Sequence, residues 1–230
     1  MRGLPTAREG FVQGVWCRGN ASSHAICASQ LSVCDAMSNF FELTANQRYA
    51  EYSGKTDADF RKIAWNVVCV GNPLPPLSEW EVPLLTQYLG DPRKPRKPRK
   101  TGDAASVGLP KLIISEKSVD ALKDILDKHA LLYPVRLDDV SDSYYLVKAA
   151  TILNCLDEKQ SNVHRRKGII QSVDEWVFKE DCIGDADLFA LCYDESVCYV
   201  SNRFKDRVVN AGLKGFAFKT RFWDPKPFVT

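Results

Sequence analysis

Four residues near the start of the chain are of the types that bind zinc: Cys17, His24, Cys27 and Cys34, in the pattern C-x6-H-x2-C-x6-C. One zinc ion needs thiolates and imidazole to converge tetrahedrally at about 2.0 to 2.3 Å. The same stretch carries an apolar stripe, Cys27, Leu31, Cys34, Met37 and Phe41, which predicts a helix capped by Ser22 or Ser23. Two helical turns set Cys27 and Cys34 about 10.5 Å apart along the axis, too far to share one ion. These cysteines therefore read as small core residues, and no metal is expected.

Covalent catalysis needs a serine or cysteine within hydrogen-bond reach of a histidine, and the candidates are His24, His129 and His164. His129 ends a predicted helix in LDKHALLYP, where an imidazole suits the negative end of the helix dipole. His164 lies in NVHRRKG, a predicted polar turn. Neither is accompanied by a nucleophile elbow or a Gly-rich oxyanion loop, and the phosphate-binding patterns G-x-G-x-x-G and G-x-x-x-x-G-K do not occur. The reading is of a protein with no enzymatic activity and no cofactor. A hydrolase built on Cys27 or a buried serine stands as a rival.

Two acidic clusters, Asp138, Asp139 and Asp142, then Asp181, Asp185 and Asp187, have no accompanying histidine to mark a metal-dependent nuclease. They suit solvated loops, or surfaces that imitate nucleic-acid phosphates to a basic cleft. The opposite sign is gathered in DPRKPRKPRKTGDAASVG, where Arg93, Lys94, Arg96, Lys97, Arg99 and Lys100 have no acid among them. Removing those six from a net charge of +2 leaves −4 for the rest of the chain. Six clustered cations would release counterions on meeting phosphates, which makes a nucleic-acid-binding protein another rival reading. No aromatic residue sits between Asp91 and Gly108 to stack a base, which argues against nucleic acid. The run suits an acidic partner or an inert solubilising loop equally well.

The elements that position these residues are legible mainly in the C-terminal half. From Leu112 the chain reads LIISEKSVDALKDIL…LLYPVRL and from Val197 it reads VCYVSNRFKDRVVNAGLKGFAFKTRF, each an apolar run, a serine, a helical stretch and an apolar run. Ser115 and Ser201 are the expected N-caps. The helices are expected to bury Val119, Leu122, Ile125 and Leu126 in one and Phe204, Val208 and Val209 in the other. Gly212 and Gly215 suit a left-handed helix end and a tight turn into the strand Phe216 to Phe218. Ser143 to Asp157 is apolar enough for a long strand or a helix and leans to strand through Tyr144, Tyr145, Val147, Thr151 and Ile152. Strands are expected from Ile169 to Phe178, and from Leu188 to Tyr193 and Val197 to Val200, the last two joined at Asp194 to Ser196. Ala58 to Val70 reads as a helix turning into a strand, broken by GNPLPPL. The fold class is α+β, a mixed or antiparallel sheet with helices packed on it and a strand–helix–strand unit occurring twice.

At 230 residues, 45% hydrophobic and 10% aromatic, the chain has room for one large or two small domains. The expected division is a helical or mixed segment over 1–90, the basic Pro-rich linker or loop over 91–108 and an α+β domain over 109–230. The N-terminus has no apolar core of signal-peptide length and no window approaches a membrane span. Eight cysteines without a C-x-x-C pair read as reduced thiols in a cytosol.

The stretch YVSNRFKDRVVNAGLKGFAF, with its order V-S-x-R-F, short helix and G-L-x-G-F-x-F, resembles the C-terminal signature of an immunity-protein family of bacterial polymorphic-toxin and contact-dependent competition systems. LIISEKSVDALKDIL followed by YPVRL is similar to the same family's earlier strand and helix, and together they span about Gly108 to Phe222. The resemblance implies a cytoplasmic protein that binds one cognate toxin domain and blocks it by occlusion, and it transfers no catalytic residue. A nuclease toxin is the preferred partner, since such domains are commonly basic, meet a cytosolic inhibitor where their substrate is, and suit a mildly acidic body. The six aspartates above are candidate contacts, and Trp176, Tyr193 and Tyr199 are candidate anchors or equally core residues.

Overall fold

The structure is a computed structural model that describes residues 39–63, 74–108, 111–222, 224 and 226–230. Cys17, His24, Cys27 and Cys34 lie outside those residues, as does the helix predicted from Ser22, except that its last stripe residue, Phe41, belongs to a strand.

In chain order the strands are β1 (Phe40–Ala45), β2 (Tyr52–Gly54), β3 (Leu84–Gln87), β4 (Ala104–Ser106), β5 (Leu112–Ser115), β6 (Ala130–Leu137) and β7 (Tyr144–Ala149). They continue with β8 (Ile152–Leu153), β9 (Asn162–Arg166), β10 (Ile169–Glu175), β11 (Leu188–Leu191), β12 (Asp194–Ser201), β13 (Phe216–Lys219) and β14 (Phe228–Val229). The helices are α1 (Asp57–Ile63), α2 (Glu116–Ala121), α3 (Lys123–His129), α4 (Glu180–Ile183) and α5 (Asn202–Asn210). Mixed sheets with helices against them make the fold α+β. Among the described residues no helix is long and apolar enough to cross a membrane.

One sheet runs β14-β13-β1-β12-β11-β8 and is antiparallel except for β11 and β8. The other runs β2-β3-β6-β7-β5-β4 and is antiparallel except for β3 and β6. Glu51, just before β2, bridges Ser106 of β4, so the two ends of the second sheet meet and it curls into a barrel. Both sheets draw strands from either side of residues 91–108. Where composition suggests a boundary, residues 91–103 are a loop between strands of one folded body and β4 follows inside the same stretch, while the segment before it supplies β1, β2 and β3 beside α1. Within the sheets, β4-β5-β7-β6 and β11-β12-β1-β13 follow one antiparallel order. The third place is taken by β7, later in the chain, in one case and by β1, from the N-terminal side, in the other.

Local sequence explains the element ends. Ser115 and Ser201 have extended backbones and accept the amides of Ser118 and Phe204, both at 3.3 Å, which satisfies a donor in the first turn of α2 and of α5. The helix expected after Ser115 is two short ones, because the backbone at Leu122 (φ −111, ψ 10) interrupts it. Gly212 ends α5 at φ +63. Phe204 and Val208 are buried at i and i+4, whereas Val209, one residue further round, is 43% exposed instead of buried as its type suggests. The hairpin before α5 turns at Cys192 and Tyr193, two residues earlier than expected, and β12 starts at Asp194.

Alternation along the strands divides the core in three. Tyr133, Val135 and Leu137 of β6 point into the barrel with Ile113, Leu146, Leu85 and Tyr52. Leu112, Ile114, Val147 and Ala149 point the other way and meet Phe41, Leu43, Val200, Phe216 and Phe218, with Leu126 and Phe204 from the helices. On the far side of the first sheet Phe189 and Tyr199 are covered by Trp176, Val173 and Leu156 from around the β9–β10 hairpin.

Candidate interaction surface

Each cap is tied to an aspartate that immediately precedes a strand. Ser201 Oγ donates to Asp187 at 2.5 Å, and the other Asp187 oxygen meets Arg203 at 2.5 Å. Arg203 and Arg207 also reach Asp124 on α3, at 2.7 and 2.6 Å. Asp103 stands in the same relation to the first helix: its carbonyl accepts from the Ser115 amide and the Ser118 hydroxyl, and its carboxylate meets Lys117 at 3.4 Å. Asp187 is 8% exposed, so of the second acidic cluster it belongs to this framework, while Asp181 and Asp185 face solvent. Lys128 pairs with Asp185 at 2.5 Å and holds its carboxyl below the usual range. The signal for the aspartates was present in the sequence, since Lys117 and Arg203 each follow a capping serine by two residues.

The first acidic cluster lies at the turn between β6 and β7, and the structure brings it against the basic loop. Asp139 accepts from the Tyr52 hydroxyl at 2.9 Å and from Gln87 Nε2 at 2.5 Å. Gln87 also donates to the Arg99 carbonyl and accepts the Arg99 amide, both at 3.0 Å. Thr101 Oγ1 is 2.7 Å from the same Tyr52 hydroxyl. Tyr144 donates to the Gly102 carbonyl at 2.9 Å, and burial, then Asp103, Asp142 and Asp139, push its pKa up to about 12, so it stays a donor. Asp138 pairs with Lys55 at 3.3 Å, and Asp142 is exposed. Nothing local in the sequence singles out Gln87, Tyr52 or Thr101 as the links. Arg93, Lys94, Arg96, Lys97, Arg99 and Lys100 are all exposed.

Trp176 is 6% exposed and packs edge-on against Tyr199 at 5.4 Å, with its indole nitrogen unpaired. Burial at the end of α3, then Lys128, lowers the pKa of His129, whose Nδ1 is 3.0 Å from Thr151 Oγ1, so a neutral imidazole closes that helix. His164 is in β9 and not in a turn; its Nε2 is 2.8 Å from Asp174 on an open face. Among the described residues no three His, Cys, Asp or Glu side chains are gathered closely enough to hold a metal ion.

What the arrangement offers is charged surface on a stiff frame. Residues 86–221, which hold the basic loop, both acidic clusters and both capped helices, match the model of an immunity protein family (Imm11). The chain belongs to that family. No curated protein matches it.

Proposed function

We propose that this protein is the immunity partner of one cognate toxin domain, which it binds in the cytoplasm and blocks by covering the toxin's working surface, with no enzymatic step of its own. The family match over residues 86–221 carries this reading. Exposed Asp138, Asp142, Asp181 and Asp185 support a basic toxin face, as a nuclease domain presents to nucleic acid. Asp187 and Trp176 act behind that surface, holding a cap and a core. The two strand–cap–helix–strand stretches are copies of one unit, a stiff frame of the kind a preorganised binder needs. Binding buries on the order of 1,600 Å² in total.

The test is co-expression with the product of the adjacent upstream gene, where a cognate toxin is expected. A stable one-to-one complex on gel filtration, and survival of cells that the toxin alone kills, are expected. Absence of both overturns the reading. In a complex that does form, the toxin's activity on DNA or RNA settles whether it is a nuclease.

A further inference from the structure

The six cations from Arg93 to Lys100 sit close together, yet none forms an ion pair among the described residues. Like charges repel, and a free loop would spread them apart. This one is pinned. The Arg96 amide donates to the Leu89 carbonyl at 2.7 Å, the Ala50 amide to the Lys100 carbonyl at 3.0 Å, and the Gln87 side-chain amide clasps the Arg99 backbone, its Nε2 donating and its Oε1 accepting. The Arg99 guanidinium turns back onto the Gln47 carbonyl. Lys94 closes a turn onto the Asp91 carbonyl at 2.9 Å, and Pro95 and Pro98 fix their own φ and disfavour a helical backbone at the residues before them. Held in this way, Arg93 to Lys100 form one exposed row of six cations along the chain.

The row does not stand alone. Its Arg99 end is joined through Gln87 to Asp139, so a strip of positive charge runs directly into the acidic turn Asp138 to Asp142. Tyr88, 50% exposed, lines a shallow hollow with Arg96, Lys97 and Arg99. A nucleic-acid backbone laid along the row would meet those carboxylates, whereas a protein face can alternate its charges and seat a tyrosine and arginines as anchors.

We infer that Arg93 to Lys100, Tyr88 and the turn Asp138 to Asp142 form one contact surface of two signs, and that the toxin domain it fits carries carboxylates opposite the row and cations opposite the turn. This rests on the immunity reading above and specifies the partner's chemistry.

Two charge-reversal variants test it, K94E/K97E/K100E and D138K/D142K, each mixed with the toxin domain that co-expression with the adjacent gene's product identifies, in stopped-flow association at low and high salt. Each variant is expected to slow association about tenfold or more at low salt and to flatten its salt dependence, with circular dichroism unchanged and the melting temperature lowered only in D138K/D142K, slightly, by loss of the exposed Asp138–Lys55 pair. A row variant that associates at the wild-type rate overturns the inference and leaves the immunity reading standing. A wild-type chain that binds no toxin overturns both. A fluorescent single-stranded RNA offered to the wild-type chain should bind weakly; tight, salt-dependent binding that the row variant loses assigns the surface to nucleic acid and overturns the inference.

Discussion

Gly215 lies so close to Ala104 that a β-carbon added to it would overlap the Ala104 carbonyl oxygen. Ala104 opens β4 of the barrel and Gly215 leads into β13 of the other sheet, and the Ala104 amide donates to the neighbouring Lys214 carbonyl at 3.0 Å. The two sheets are joined main chain to main chain at this point, where no side chain fits.

Gly215→Ala is therefore expected to lower stability by about 3 kcal/mol or more, since φ is +97 and the neighbour is backbone that cannot swing away. Gly212→Ala, at φ +63 with nothing in the way, should cost only about 1 to 2 kcal/mol. Urea denaturation of the two variants measures the difference. Equal losses would mean that the overlap is relieved without cost.

Ser201→Ala should lose about 1 kcal/mol through the uncapped Phe204 amide. Asp187→Ala should lose about 2 kcal/mol, because its partner Arg203 is exposed enough to turn to water. The double variant should lose less than the sum, as expected of groups in one network. Additive losses would show that the cap stands without the aspartate.

Lys111 is buried, and its Nζ donates to the Ile63 carbonyl at 2.5 Å. Burial lowers its pKa to about 8 from an ordinary value near 10.5. Between those values the unfolded chain holds a proton that the folded chain has released, so this group makes stability rise with pH across that window. The stability difference between wild type and Lys111→Met should shift in favour of wild type from pH 8 to 10.5, by about 3 kcal/mol at most. A difference that stays flat would show that the ammonium keeps its charge inside.

Trp176→Ala should cost about 3 to 5 kcal/mol, as for any large ring removed from a core. Trp176→Phe keeps a ring against Tyr199 and removes an unpaired indole N–H, so it should cost about 1 kcal/mol and leave toxin binding unchanged. Binding lost in the folded Phe variant would place Trp176 in the interface.

The sequence by itself determined what depends on neighbours along the chain. The caps at Ser115 and Ser201, the left-handed end at Gly212 and the buried pair Phe204 and Val208 each follow from residues within one or two turns, where side-chain chemistry acts directly on the local backbone. Strand character in LIIS and FAFK was legible for the same reason, as was the family likeness, whereas YYLVKA only leaned to strand and the sheet decided it. The tertiary structure alone decided which strands share a sheet, because a β-strand leaves its hydrogen bonds open to any partner in the chain. Hence β1 joins strands some 150 residues later, and a stretch whose prolines and charges look like a domain boundary becomes a clasped loop. The meeting of Asp139 with Arg99 through Gln87, and of Gly215 with Ala104, came with that choice: each joins residues far apart in sequence, and no local propensity specifies such a contact.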